Sequence, residues 1–153
     1  MTVLGSAVRV GLYDEVTYKS SSGVTLGMLA YFMQNSMAAK RNLVQSNIIS
    51  ASRSRSIPGT GNLDVSGTLK TGLSPTHIWW WLKHILGAPT TTGASAPYTH
   101  TYRPGAMPVG FIVENDWIPA GISSKVEQFL GCRINDATFD FPQEGEATLT
   151  CSV

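Results

Sequence analysis

Residues 63–89 constrain the fold most, because they join a clear strand pattern to a clear helix pattern. Over residues 63–70, Leu, Val, Gly and Leu alternate with polar or charged side chains, as in a strand with one buried face. Further on the period changes: Ser74 and the proline after it signal a helix start, and Gly87 signals a stop. We therefore predict a strand followed by a helix at about residues 75–86.

The predicted helix has two stripes of large side chains, because residues three or four apart share a helix face. The first stripe is apolar and is expected to pack on a sheet: Ile78, Trp81, Leu82 and Ile85. The second stripe combines two histidines with an indole: His77, Trp80 and His84. We expect the second stripe at the surface or at a contact between subunits. Two histidines are too few for a metal site, which needs three or four ligands.

The rest of the chain consists of short strand patterns between turn signals. Strands are predicted within residues 3–19 and in segments 43–55, 98–103, 109–113, 126–134, 137–141 and 147–153. Residues 26–37 fit the spacing of both a strand and a helix, and we favour a strand. Residues 88–97 are small, polar or turn-forming, so they are predicted to form a surface loop.

Three turns are predicted between these strands. Residues 57–62, which contain proline and glycines, are expected to join the strand of 43–55 to that of 63–70 in a hairpin. Residues 114–116 are expected to end a strand, and residues 142–145 to connect the two arms of a terminal hairpin. Within 126–134, four apolar residues are expected to share a face: Val126, Leu130, Cys132 and Ile134.

Many short strands with one good helix predict a mostly β fold, an antiparallel β-sandwich or barrel with one flanking α-helix. The length fits a single domain over residues 1–153 that buries a sizeable core without a metal or disulfide. The last strand pattern reaches the end of the sequence. That fits the N-terminal half of a longer two-domain protein as well as a short single-domain one.

The charge content argues against a nucleic-acid-binding module and favours self-association. Charged residues make up 14% of the chain and the formal net charge is +1, so copies repel each other little. Arg53 and Arg55 lie on the same side of their predicted strand, and pairing with a neighbouring subunit's carboxylates or solvation is favoured over phosphate contact. No segment resembles a signal peptide or a membrane span, so no membrane partner is expected.

No set of residues indicates catalysis or a bound cofactor. The sequence has no nucleophile elbow, phosphate-binding loop, HExxH or CxxC motif. Cys132 and Cys151 fall on apolar strand faces and are expected to be buried thiols, although a disulfide is possible if their strands pair. The acidic residues near the terminal hairpin are read as a solvated strand edge rather than as a cation site: Asp136, Asp140, Glu144 and Glu146. We therefore expect neither enzymatic activity nor a cofactor.

Several segments resemble the major tail tube proteins of long-tailed bacteriophages. The resemblance is carried by SRSIPGTGNLDVSGTLKTGLSPTHIWWWLKHILGAPTTT, YTHTY and FLGCRINDATFDFPQEGEATLTCS, and it covers about residues 50–153. It rests on an arginine-bearing strand, a proline–glycine turn, a VSG strand, a helix capped by Ser-Pro and a terminal hairpin that begins with GCRIN. The triple tryptophan at residues 79–81 is not expected of that family.

The resemblance implies a structural virion protein that assembles with itself into hexameric or pseudo-hexameric rings. The rings would stack around a lumen through which DNA passes without specific binding. Assembly would take place in the bacterial host cytoplasm, with the tape measure and tail terminator proteins as further partners in the virion tail. We select Arg53, Arg55, His77, Trp80 and His84 as candidate self-assembly residues.

Two other classes of function remain open from the sequence. Exposed tryptophan and tyrosine on a β-sandwich would also suit a carbohydrate-binding module. A small hydrolase or metal enzyme is the third class, and it is discounted because no nucleophile and base can be paired.

Overall fold

The computed structural model describes residues 8–44, 57–117 and 125–153, and most of these residues lie in β-strands. The elements in chain order are β1 (Arg9–Asp14), β2 (Thr25–Ala30), β3 (Phe32–Asn35), β4 (Ala38–Val44), β5 (Gly59–Ser66), β6 (Thr68–Gly72), α1 (Ile78–Leu86), β7 (Thr90–Thr92), β8 (Thr99–Thr101), β9 (Phe111–Asp116), β10 (Val126–Cys132), β11 (Asp136–Asp140) and β12 (Thr148–Ser152).

Two four-stranded sheets form the body of the protein. Sheet A has the strand order β10-β9-β1-β2, and sheet B has the order β11-β12-β6-β3. Every strand pair in both sheets is antiparallel. Over the three described ranges the sheets do not close into a barrel, so the predicted antiparallel fold with one helix is confirmed in its sandwich form.

A single hydrophobic core lies between the two sheets and the helix. Sheet A contributes Leu12 and Phe111, sheet B contributes Leu69 and Leu149, and all four are fully buried. The helix adds Trp81, which confirms its predicted place in the core. The apolar residues that alternate with polar ones along β1, β6 and β12 therefore face the interior, as the sequence predicts.

The strand predicted over residues 63–70 is divided at Gly67 into β5 and β6, which lie in different sheets. A Cβ atom at this glycine would lie 2.6 Å from the Cα of Met37, closer than carbon atoms can approach. The backbone of Gly67 instead pairs with Val153, each N–H donating to the other's carbonyl at 3.1 and 2.9 Å. The alternation continues through this break, so the sequence pattern does not reveal it.

Strands β3 to β6 form one long hairpin that bends at Gly67. Asn35 pairs with Leu69 before the bend and Ala38 pairs with Ser66 after it, so the register continues from one half to the other. An antiparallel hairpin is therefore present, but with other partners than predicted: residues 63–66 pair with residues 38–41, and the predicted turn at residues 57–62 is wrong because β5 already begins at Gly59. Of the strand predicted at 43–55, residues 43–44 end β4, and residues 45–56 lie outside the described part.

The helix starts later than predicted. It spans Ile78–Leu86 and has His77 at its N-cap position, where no side chain caps the backbone. Residues 75–77 form a turn instead, in which the carbonyl of Ser74 accepts the N–H groups of His77 and Ile78, each at 3.0 Å. The predicted stop is confirmed: Gly87 has φ 114°, a conformation that favours glycine.

Three local predictions differ from the structure. The segment predicted as a loop at residues 88–97 contains β7, which pairs with β8 in an exposed ribbon. Residues 114–116, predicted as a turn, continue β9. In β10 a register shift between Phe129 and Cys132 turns Phe129 and Cys132 inward and leaves Val126 and Leu130 exposed, so the four predicted residues do not share a face.

The two cysteines are free and buried, as the sequence predicts. In the described ranges, no helix combines the length and the apolar character that crossing a bilayer requires.

Candidate functional site

One carboxylate, Asp14 at the end of β1, anchors the helix to sheet A. Its Oδ1 accepts hydrogen bonds from Trp80 Nε1 at 3.1 Å and from His84 Nε2 at 2.7 Å, the latter in the tautomer that carries a proton on Nε2. Its Oδ2 contacts Lys83 Nζ at 2.8 Å. The rings of Trp80 and His84 also pack against Phe111 of sheet A, with centroids 5.3 and 5.0 Å away.

The environment of Asp14 favours its charged form. Burial alone raises the pKa of this carboxyl, but the hydrogen bonds and charges of His84 and Lys83 outweigh burial and lower the pKa to about 2. The donors therefore surround a carboxylate that is ionised at neutral pH. The Trp80 and His84 ring nitrogens that face Asp14 are satisfied by this contact, so the cluster is an internal anchor of the helix.

The predicted surface position of Trp80 and His84 is wrong. Trp80 is fully buried and His84 is 3% exposed, while their neighbour Trp79 is 45% exposed. The physical reason is that the helix buries two adjacent faces: Trp81 joins the core between the sheets, and the other stripe docks on Asp14 of β1. The backbone of Gly27 in β2 lies directly against the indole of Trp80, so a side chain at this position would collide with the ring.

The other three candidate residues have different outcomes. His77 is half-buried at the start of the helix, and its ring lies 5.5 Å from that of Tyr31, which is 71% exposed. Arg53 and Arg55 lie outside the described residues. The assembly role of His77, Arg53 and Arg55 stays a prediction. The backbone N–H of Trp80 donates to the carbonyl of His77 at 3.1 Å, which is a contact within the first turn of the helix.

The sequence interpretation missed the main exposed element, the outer half of the long hairpin. We call this half, β4 with β5, the projecting ribbon. All seven residues of β4 are exposed, as are most of β5. An open groove of about 1160 Å³ separates the ribbon from β10, with Ala39 and Val65 on one side and Phe129 and Arg133 on the other. The ribbon therefore stands off sheet A instead of packing on it.

The projecting ribbon has both basic and apolar side chains at its surface. Lys40 and Arg41 are exposed, and neither takes part in an ion pair among the described residues. At the end of β4, Leu43 is 65% exposed and Val44 60%, and Ile57, two residues before β5, is 93% exposed. Large apolar residues so exposed on a two-stranded ribbon indicate a surface that another chain covers.

Sheet B ends in an acidic edge strand on the side opposite the ribbon. We call β11 with the turn after it the acidic edge. Its outward residues Asp136 and Asp140 are exposed, as are the turn residues Glu144 and Glu146. Phe141, the first residue after β11, is 69% exposed. Its ring stacks on that of Phe139, with the centroids 6.5 Å apart.

The described residues provide no chemical centre. No group of three or more possible metal ligands occurs among them, the acidic edge included. Burial raises the pKa of the Cys132 thiol to about 11 and that of Cys151 to about 12, so both stay protonated and unreactive. The features that remain are surfaces: a projecting ribbon, exposed sheet edges and exposed apolar side chains.

A β-sandwich with such surfaces is suited to contacts with other chains. The comparison with family models agrees, because the model for phage tail tube protein matches residues 5–153. The chain therefore belongs to the phage tail tube protein family. A comparison with curated proteins found no match.

Family membership confirms the resemblance and extends it to nearly the whole chain. It gives the protein a structural role in the tail of the virion, and it implies a role without enzymatic activity. It also supports oligomerisation with other tail proteins. A carbohydrate-binding module would need exposed aromatic side chains, and Trp80, one of those expected at the surface, is buried.

Proposed function

We propose that this protein assembles into stacked rings that form the tail tube and enclose a lumen for DNA. The rings are hexameric or pseudo-hexameric, and they are built in the bacterial host cytoplasm together with the tape measure and tail terminator proteins. The observation that carries this proposal is the projecting ribbon, in which every residue of β4 and most residues of β5 are exposed. Family membership supports the tail tube role in which such an element would be used.

A two-stranded ribbon has little stability of its own in water, because it lacks a third strand or a covering layer. In this protein Leu43 and Val44 of the ribbon, and Ile57 just before β5, are also exposed. Contact with a neighbouring subunit would cover these side chains and satisfy the free strand edges. The ribbon is thus suited to join copies of the chain.

Passage of DNA requires a wall that does not hold phosphates. Tight and salt-dependent DNA binding depends on clustered Lys and Arg. The formal net charge of this chain is only +1. We therefore infer a conduit that contacts DNA weakly and without sequence specificity.

The first test is assembly of the purified protein. We expect sedimentation to show oligomers that grow with concentration, and negative-stain microscopy to show rings or tubes. Replacing two apolar ribbon residues, Leu43→Asp together with Val44→Asp, should raise the concentration needed for assembly by tenfold or more, because burying each new charge costs about a kilocalorie per mole or more.

A matched control distinguishes the ribbon from exposed strands in general. Thr91→Asp with Thr92→Asp places the same charges on the β7–β8 ribbon, whose six residues are also exposed. This control should assemble like the wild type. Wild-type protein that remains monomeric at high concentration would contradict the proposal, and so would unaltered assembly of the Leu43 and Val44 variant.

A further inference from the structure

We propose that the projecting ribbon of one copy docks through its basic residues on the acidic edge of the next copy. This inference rests on the proposed function, because it presumes that copies assemble. Beyond the proposed function, it specifies which two surfaces meet and which charged residues pair across the contact. The partner is a second copy of this chain, and the contact joins two different surfaces.

The basic side of this contact is Lys40 and Arg41 in β4. Both side chains are exposed, and no ion pair in the described ranges involves them. The cross-strand neighbour of Lys40 is Asp64, but the two side chains form no salt bridge. Both charges are therefore available to an acidic surface outside their own chain.

The acidic side is β11, the edge strand of sheet B. Asp136 and Asp140 point outward because they alternate with the inward-facing Ala137 and Phe139. The outward pair has no ion-pair partner in the described part of the chain. The edge also includes the exposed Phe141, just after β11, as the ribbon includes the exposed Leu43 and Val44. The two surfaces thus match in charge, and each also exposes apolar side chains.

Sheet topology explains why the contact forms between copies. In sheet B the order is β11-β12-β6-β3, and β4 continues from β3 beyond the bend. The ribbon thus leaves the edge opposite β11, about 14 Å away across three strand spacings. In the described ranges no ion pair joins Lys40 to Asp136 of the same chain.

A contact between two different surfaces repeats from copy to copy. Such head-to-tail interfaces close into a ring when the rotation between copies allows it, and otherwise extend as a filament. Both products fit a tube. Because the paired charges are at the surface, assembly should also weaken as salt is raised.

Charge reversal on each side tests the contact. The ribbon variant combines Lys40→Glu with Arg41→Glu, and the edge variant combines Asp136→Lys with Asp140→Lys. Each variant alone presents like charges at the contact, so its assembly should require a concentration about tenfold higher or more. An equimolar mixture should assemble again, because every ribbon then finds an edge of opposite charge in the other variant.

Circular dichroism and thermal unfolding should show both variants folded, since the four substituted residues are exposed. The control Arg103→Glu reverses an exposed arginine outside both surfaces and should assemble like the wild type. If either variant does not fold, single reversals at Lys40 and Asp136 replace the pairs in the same mixing design.

The outcomes separate this inference from the proposed function. Absence of assembly in the wild type would contradict the proposed function itself. Normal wild-type assembly with unaffected charge-reversed variants would overturn only the docking contact. The docking contact would also be overturned if each variant assembled poorly and their equimolar mixture did not assemble either. The loss of assembly would then have a cause other than unmatched charge.

Discussion

At the scale of single residues, Asp14 connects the helix to sheet A. It accepts from Trp80, His84 and Lys83 at once, and its pKa is lowered from 3.8 to about 2. Asp14→Asn should therefore lower the free energy of unfolding by about 2 kcal/mol at neutral pH, as expected for a shift of roughly two pKa units. Chemical denaturation of the two proteins measures this difference.

The same contact predicts a pH dependence. Because the folded-state pKa is depressed, the stabilisation by Asp14 is present above the unfolded value of 3.8 and is lost as pH falls through about 2. The stability difference between wild type and Asp14→Asn should therefore narrow as pH falls through this window. Asp64→Asn, at an exposed position, is the matched control and should change stability little at any pH. A pH-independent difference for Asp14→Asn would contradict this account.

The adjacent tryptophans make a second comparison at this scale. Trp80 is fully buried against sheet A, whereas Trp79 is 45% exposed. Trp80→Ala should cost about 3–5 kcal/mol of unfolding free energy, and Trp79→Ala about 1 kcal/mol or less. Urea denaturation of each variant compares them. Similar losses at both positions would mean that the helix is oriented differently.

The sequence predicts burial of Trp81 and of Cys151, because each lies on a regular apolar pattern; the burial of Cys132 is also predicted, but it comes about through a bulge in β10. It does not predict burial of Trp80 and His84, since their polar atoms need a partner and that partner, Asp14, is 66 and 70 residues away in the chain. Periodicity reports which residues share a face. It does not report that a second face of a helix will find a carboxylate on a distant strand.

At the scale of elements, the bend at Gly67 sets the direction of the projecting ribbon. Gly67→Ala would place a methyl group against the backbone of Met37 and should cost about 1–3 kcal/mol. Gly59→Ala is the matched control in the same strand, because its added Cβ would meet only Val44 O at 3.9 Å. Thermal unfolding should show a clear loss of stability for Gly67→Ala and almost no loss for Gly59→Ala. Equal stabilities would show that the bend tolerates a side chain.

The elements that the sequence predicts well are those with local causes. The helix end at Gly87 and the terminal hairpin of β11 and β12 depend on turn residues and on alternation within short segments. The division of residues 63–70 between two sheets depends on Met37 and Val153, which are distant in sequence. The inward turn of Cys132 depends on a bulge at Gly131, where φ is 73°.

At the scale of the whole molecule, the mostly antiparallel sandwich follows from many short alternating segments, which can bury their apolar faces only against a second layer. The surfaces for assembly are less predictable. In the sequence Lys40 and Arg41 resemble ordinary solvated charges, and Asp136 and Asp140 resemble a solvated edge. Only the strand order shows that Asp136 and Asp140 lie on one edge strand of sheet B, while Lys40 and Arg41 lie on the ribbon that continues from the opposite edge strand, β3.

The pairing of Gly67 with Val153 also fixes an order of events during synthesis. A ribosome completes β4 and β5 long before it reaches Val153, so the emerging chain can form the ribbon early. The hydrogen bonds that set its direction cannot form until Val153 has left the ribosome. In a nascent chain both strands of the ribbon therefore exist before the contact that orients them.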